Sequence, residues 1–180
     1  MDIYMPMSTT VRHNRITMTF AGTVLDLLRR KEVHALQEEC ALVYSGTKEL
    51  PNGFALIDAR AMCTDEIKYF TENVITELEY VRPDFLLFKD NPYLENKKQT
   101  RTAGQPDLIV EVWSESNSKN DRLFLQNLYS TSPVTEHWYI EQDSNEVSCY
   151  FGREKIESQY LSDVLVTRSG IEFDLRYLTV

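Results

Sequence analysis

Two short stretches constrain this chain more than anything else in it. Phe85-Leu86-Leu87-Phe88 is wholly apolar, and Asp107–Trp113 (DLIVEVW) is apolar apart from its acids. Segments of that length, apolar on both sides, read as strands buried in the middle of a sheet. The first ends a longer extended segment, Tyr80–Phe88 (YVRPDFLLF). Side chains alternate along a strand, so Asp107, Ile109, Glu111 and Trp113 share one face, and Leu108, Val110 and Val112 share the other. If the two strands pair, Asp84, Asp107 and Glu111 form a carboxylate cluster. An unpaired carboxylate buried in such surroundings costs several kcal/mol, as much as a whole domain has in reserve. A hard divalent cation is one compensating partner. All-oxygen sites suit Mg²⁺ or Mn²⁺, and a metal so held can orient water and offset charge on a transferring phosphate. The alternative for Glu111 is a buried pair with Arg82 or Arg122. Asp84 and Asp107 each follow a proline, as residues at strand entries and turns often do.

The rest of the pattern builds a mixed α/β domain around these strands. Ile16, Phe20, Val24 and Leu27 recur at helical steps, which predicts one amphipathic helix over residues 10–30 begun by Ser8-Thr9-Thr10. His13 falls on the same apolar stripe, where a histidine either packs in the core with one hydrogen bond or serves a site. Short β-rich pieces follow at Cys40–Tyr44, Phe54–Asp58 after Pro51-Asn52-Gly53, Ile67–Phe70 and Val74–Leu78. Between the two central strands lies a polar loop, residues 91–106, carrying Lys97, Lys98 and Arg101; a loop that long is functional or mobile. Ser118-Lys119-Asn120-Asp121 has the form of a capping box, so a helix runs on from it to about Ser130, and Pro133 stops it. His137–Glu141, an Asp143-Ser144-Asn145 turn, Val147–Phe151, Lys155–Leu161, Val164–Thr167 and Ile171–Tyr177 then read as C-terminal strands.

With 180 residues, no internal repeat and no Gly/Ser/Pro-rich linker, the chain reads as a single domain, 1–180. Its longest apolar runs are four residues, too short to span a membrane, and its start has no apolar signal core, which makes the cytoplasm the default location. The three cysteines are odd in number and widely spaced, so neither structural disulfides nor a zinc site is expected. A net charge of −9 opposes non-specific nucleic-acid binding. Any DNA contact must therefore rest on a local patch, and residues 1–31 offer one: Arg12, Arg15, Arg29, Arg30 and Lys31 against Asp2 and Asp26. The alternative is a solvated helix face.

The ordered series RHN at 12–14, VRPD at 81–84, QPDLIVEVWSESNS at 105–118, Asp121, Tyr129, EHWYIEQD at 136–143 and the C-terminal GIEFDLRYL resembles the Uma-type family of putative restriction endonucleases, within the PD-(D/E)XK nuclease-like superfamily. The resemblance covers nearly the whole chain from about Tyr4. It implies a restriction endonuclease-like α/β core, a mixed central sheet flanked by helices, with the C-terminal strands appended. It also implies that a hairpin preceding this point in relatives is missing here. By resemblance Asp84 matches the aspartate of the PD motif, Glu111 the acid of the second metal-binding motif, and Asp107 the segment before that acid. These three would hold Mg²⁺ or Mn²⁺ while a lysine assists the attacking water. His13 matches a histidine after the first strand, and Asp121 and Tyr129 match positions on the following helix.

The chain departs from that pattern at the lysine. Trp113 stands two residues after Glu111, and Leu125 stands four residues after Asp121, the two places where relatives carry it. Losing a group that acts in the transition state costs about 10²–10⁴-fold in rate. Lys119, at the helix start, is the candidate replacement among the catalytic residues, and Gln126 is a second by hydrogen bonding alone. Three functions stay open: a metal-dependent endonuclease acting on DNA, a nuclease-fold binding or regulatory protein that no longer cleaves, and a homodimeric interaction protein with no nucleic-acid role.

Overall fold

The computed structural model describes residues 11–30, 32–37, 40–46, 54–63, 78–89, 106–132 and 135–178. The expected helix start at Ser8–Thr10, the Pro51-Asn52-Gly53 turn, the strand Ile67–Phe70, most of the strand Val74–Leu78, the loop at 91–105 with its three basic residues, and Pro133 lie outside the described residues.

The chain begins with helices α1 (Val11–Thr23) and α2 (Leu25–Arg29). Strands β1 (His34–Gln37), β2 (Cys40–Gly46), β3 (Phe54–Cys63), β4 (Leu78–Val81), β5 (Phe85–Phe88) and β6 (Leu108–Trp113) follow. Helix α3 (Lys119–Tyr129) leads to β7 (Glu136–Glu141), β8 (Glu146–Phe151), β9 (Glu154–Tyr160), β10 (Val164–Val166), β11 (Glu172–Asp174) and a 3-10 turn, Arg176–Leu178. Six strands form the central sheet in the order β1-β5-β6-β7-β8-β9. All neighbours are antiparallel except β6 and β7, which run parallel because α3 carries the chain back across the sheet between them. A three-stranded sheet, β3-β2-β4, and the hairpin β10-β11 complete the fold.

The alternation read from DLIVEVW sorts the interior into two layers. Leu108, Val110 and Val112 join Phe85, Leu87, Trp138, Ile140, Val147 and Cys149 on one face, covered by Ile16 and Phe20 of α1 and by Phe173 and Leu175 near the C-terminus. Ile109 and Trp113 join Leu86, Phe88 and Tyr139 on the other, covered by Leu125, Leu128 and Tyr129 of α3 and by Leu42 and Val81 of the small sheet. Both faces of β6 are therefore sealed, as its composition requires.

Several boundaries differ from expectation: β3 runs on to Cys63 where the sequence predicts a strand ending at Asp58, and β11 stops at Asp174, before the 3-10 turn, where it predicts a strand to Tyr177. The segment Tyr80–Phe88 is not one strand: β4 and β5 belong to different sheets, and Arg82-Pro83-Asp84 turns the chain between them. Pro83 has no N–H to give a ladder, so the break falls where the backbone cannot pair. The first helix is interrupted at Val24, whose φ of −94° and ψ of 9° leave the helical region. β1 carries no strand signature in HALQ, and it forms because it docks antiparallel on the edge of β5, with His34 opposite Phe88. The capping box, by contrast, forms as read: Ser118 Oγ accepts from the Asp121 amide at 3.1 Å and donates to Asp121 Oδ2 at 2.6 Å.

Phe20 is the keystone of the first layer, with ring centroids 5.4 Å from Phe85, 4.9 Å from Phe173 and 6.3 Å from Trp138. Replacing it with alanine removes the apolar mass that ties α1 to the sheet. Phe20→Ala is expected to lower the unfolding free energy by about 3–5 kcal/mol, read as a reduced urea midpoint; a loss below about 1 kcal/mol would mean that α1 does not depend on this contact.

Candidate active site

Asp84 sits at the turn that Pro83 imposes, one residue before β5. Phe85 pairs with Val110, so continuing the register one step sets Asp84 opposite Glu111. Residues directly opposite have Cβ atoms about 4.5–5.5 Å apart and share a face. Side-chain contacts agree. Asp84 Oδ2 accepts the Val112 amide N–H at 2.6 Å, which fastens the carboxylate to β6 beside Glu111. Its Oδ1 lies 3.0 Å from His13 Nε2. The histidine on the apolar stripe of α1 is thus both a packed core residue and a direct partner of Asp84.

Glu111 is 7% exposed in the middle of a strand and accepts a 2.5 Å hydrogen bond from the Tyr129 hydroxyl at the end of α3. Burial, the nearby Glu111 carboxylate and the hydrogen bond to it, and more distantly Tyr139 and Asp84, hold the Tyr129 phenol well above its usual pKa. It therefore keeps its proton and remains a donor. Tyr139, opposite Glu111 on β7, is raised well above its ordinary value by burial first and by Glu111 second. Two phenols and two carboxylates thus occupy one neighbourhood on the α3 side of the sheet. Arg122, a candidate partner for Glu111, is committed elsewhere: its guanidinium bonds Glu141 Oε1 at 2.5 Å and the Ser114 carbonyl at 2.6 Å, and lies 4.9 Å over the Trp113 ring.

Asp107 stands apart from this pair. It enters β6 at the opposite end, about 13 Å along the strand from Glu111 at roughly 3.3 Å per residue, and its Oδ2 accepts the Lys89 amide N–H at 2.6 Å. The two acids share a face, as the alternation said, but the antiparallel register puts Asp107 beside the end of β5 and Asp84 beside its beginning. Lys119 stands at the other end of α3 from Tyr129. It is exposed at the first residue of α3, about 15 Å along the axis from Tyr129 at 1.5 Å per residue. Leu125 is one turn before Tyr129 on the same helix face and is buried in the second layer. Trp113, at the other lysine position, stacks on Tyr139 at 4.3 Å. Among the described residues no three His, Cys, Asp or Glu side chains converge to hold a metal ion. Two carboxylates do fit a smaller role, because Mg²⁺ commonly takes one or two protein carboxylates and completes its shell with water and phosphate oxygens.

A further buried pair was not legible in the sequence. His137 Nε2 donates to the Gly152 carbonyl at 2.8 Å, so its Nδ1 accepts the Tyr139 hydroxyl at 2.8 Å. The only signal was the alternation of HWYIE, which puts residues 137 and 139 on the same face as Glu111.

Acidic side chains from adjoining strands on one face, under a helix that crosses between parallel neighbours, define a nuclease-like α/β fold. That fold is shared with a solved structure, described as a putative nuclease belonging to DUF820 from Anabaena variabilis, at a TM-score of 0.58 and 12% identity over 100% of this chain and 87% of that one. Residues 54–178 match the Uma2 family, described as putative restriction endonucleases, and the chain belongs to that family. No curated protein matches it. Among the described residues no helix is long and apolar enough to cross a membrane.

Burial pushes the His137 imidazole down to about 4 from 6.5. The unfolded chain then binds a proton that the folded one refuses, so the contribution is complete above pH 6.5 and is lost as pH falls toward 4. Between pH 7 and 4.5 the wild type is expected to lose roughly 2–3 kcal/mol more than His137→Gln in urea unfolding. Equal losses in the two proteins would assign the acid sensitivity to other groups.

Proposed function

We propose that the protein is a metal-dependent endonuclease of low turnover acting on DNA, with Asp84 and Glu111 as its metal-binding carboxylates. The observation that carries this reading is the fastening of Asp84 to the Val112 amide beside Glu111, which brings the two family acids to one point of the sheet. When bound there, a divalent cation supplies charge neutralisation at the phosphate and a more acidic water.

The chain's own residues prepare that chemistry. His13 and the Val112 amide fix the orientation of Asp84, and the Tyr129 hydroxyl fixes Glu111. Both carboxylates enter the reaction already ordered, which lowers the reorganisation needed when a phosphate arrives. Asp107 supports strand entry and lies outside the ion's reach in this reading. Among the described residues, neither position where the family resemblance expects a lysine carries a proton-handling cation. Leucine at position 125 cannot orient water, Trp113 is committed to its stack, and Lys119 is exposed at the opposite end of α3 from Tyr129.

A second reading, a nuclease-fold protein that binds without cleaving, is favoured by that same Leu125. The two separate on one pair of measurements. Supercoiled plasmid with Mn²⁺ is expected to be nicked slowly by the wild type, and nicking is expected to vanish equally in Asp84→Ala and Glu111→Ala. Metal binding by calorimetry with no nicking would select the second reading, and nicking that survives both substitutions would belong to a contaminant. Leu125→Lys, one turn from Tyr129, restores the missing group. The rate is expected to rise by about 10²-fold or more, provided that a thermal melt shows the variant folded.

A further inference from the structure

A cleft of about 280 Å³ opens beside the start of α1, lined by Val11, Arg12, Arg15, Ile16 and Leu178. Among the described residues its charge is one-sided, because both polar lining residues are arginines. Its volume is near the bottom of the range for small-molecule sites, roughly 300–1,000 Å³, so it suits one compact unit and not a large cofactor. Arg12 is held in place: its Nη2 donates to the Asn145 side-chain oxygen. Asn145 occupies a left-handed conformation, φ 61°, in the turn between β7 and β8. Two acids flank Asn145, the exposed Asp143 on that turn and Glu146 at the start of β8, and neither is part of the lining.

The location matters as much as the lining. The turn holding Asn145 stands at the C-terminal end of the parallel pair β6 and β7, where the Gln142 amide donates to the Trp113 carbonyl at 3.0 Å. The next residue after Arg12 is His13, which reaches Asp84, and Asp84 holds the Val112 amide at that same end of β6. Consecutive residues of α1 therefore touch the carboxylate site and the rim of the cleft. A guanidinium presents a planar fork of donors matched to phosphate oxygens, and two of them over an apolar floor hold a phosphate while leaving room for the sugar beside it.

We infer that this cleft binds one backbone phosphate of a nucleic-acid strand, through Arg12 and Arg15, and so sets where along the strand the Asp84–Glu111 pair meets the phosphodiester. The inference rests on the nuclease reading for its ligand, yet its binding step needs no metal and no cleavage.

The test measures binding of a short fluorescent DNA duplex in excess chelator as a function of salt. Neutralising one phosphate contributes about 0.9 to the slope of log K against log salt. The Arg12→Gln/Arg15→Gln protein is expected to show a slope shallower by about 1 and affinity at low salt reduced by about tenfold, and Arg15→Glu is expected to weaken binding as well. Lys155→Gln, an exposed cation on the edge strand β9, serves as the control with wild-type slope. A wild-type slope in the double variant, or no duplex binding by the wild type at low salt, overturns the inference. Tight, arginine-dependent binding by a protein that never nicks plasmid supports the cleft and sinks only the cleavage.

Discussion

Asp84 is the point on which the arrangement turns. A carboxylate 6% exposed between apolar layers would be severely destabilising unless its oxygens were engaged. Here one oxygen takes a β6 amide and the other faces an α1 imidazole, so a single side chain fastens the leading helix, the entry of β5 and the central strand to one another. Glu111 is accommodated on the same logic by a phenol that α3 delivers from above. The acids are therefore parts of the packing as well as of the proposed site.

The same arrangement bears on the proposed nuclease reading, in which position 125 is where the family resemblance expects a lysine. Leu125 belongs to the second apolar layer with Leu128 and Tyr129, so its side chain contributes to holding α3 against the sheet. A cation there would have to stretch its stem along this layer to reach Glu111, giving up apolar contact for charge. On that reading, fold stability and proton handling pull in opposite directions at one helix position.

Much of this was legible in the residues. Strict alternation in DLIVEVW assigned both layers, the spacing S-x-x-D set the start of α3, and the run of turn and strand signals after Pro133 placed the C-terminal hairpins, because each of these is a local property. Register was not legible. Asp84 and Asp107 are separated by more than twenty positions, and only the pairing of Phe85 with Val110 shows that they lie at opposite ends of β5. The contact between His13 and Asp84 was hidden for a similar reason: periodicity places a histidine on a buried stripe but says nothing of which strand end meets it. β1 escaped notice because its strand character comes from its neighbour and not from its own four residues.

The two tryptophans of the chain fall on opposite faces of the central sheet. Trp138 is sealed in the first layer with its indole nitrogen bonded to Glu136, whereas Trp113 is sandwiched between Tyr139 and Arg122, two residues beyond Glu111. The molecule consequently carries two separate optical probes, one recording the integrity of the interior and one the surroundings of the acids. Deleting either indole leaves a protein whose emission reports on a single face.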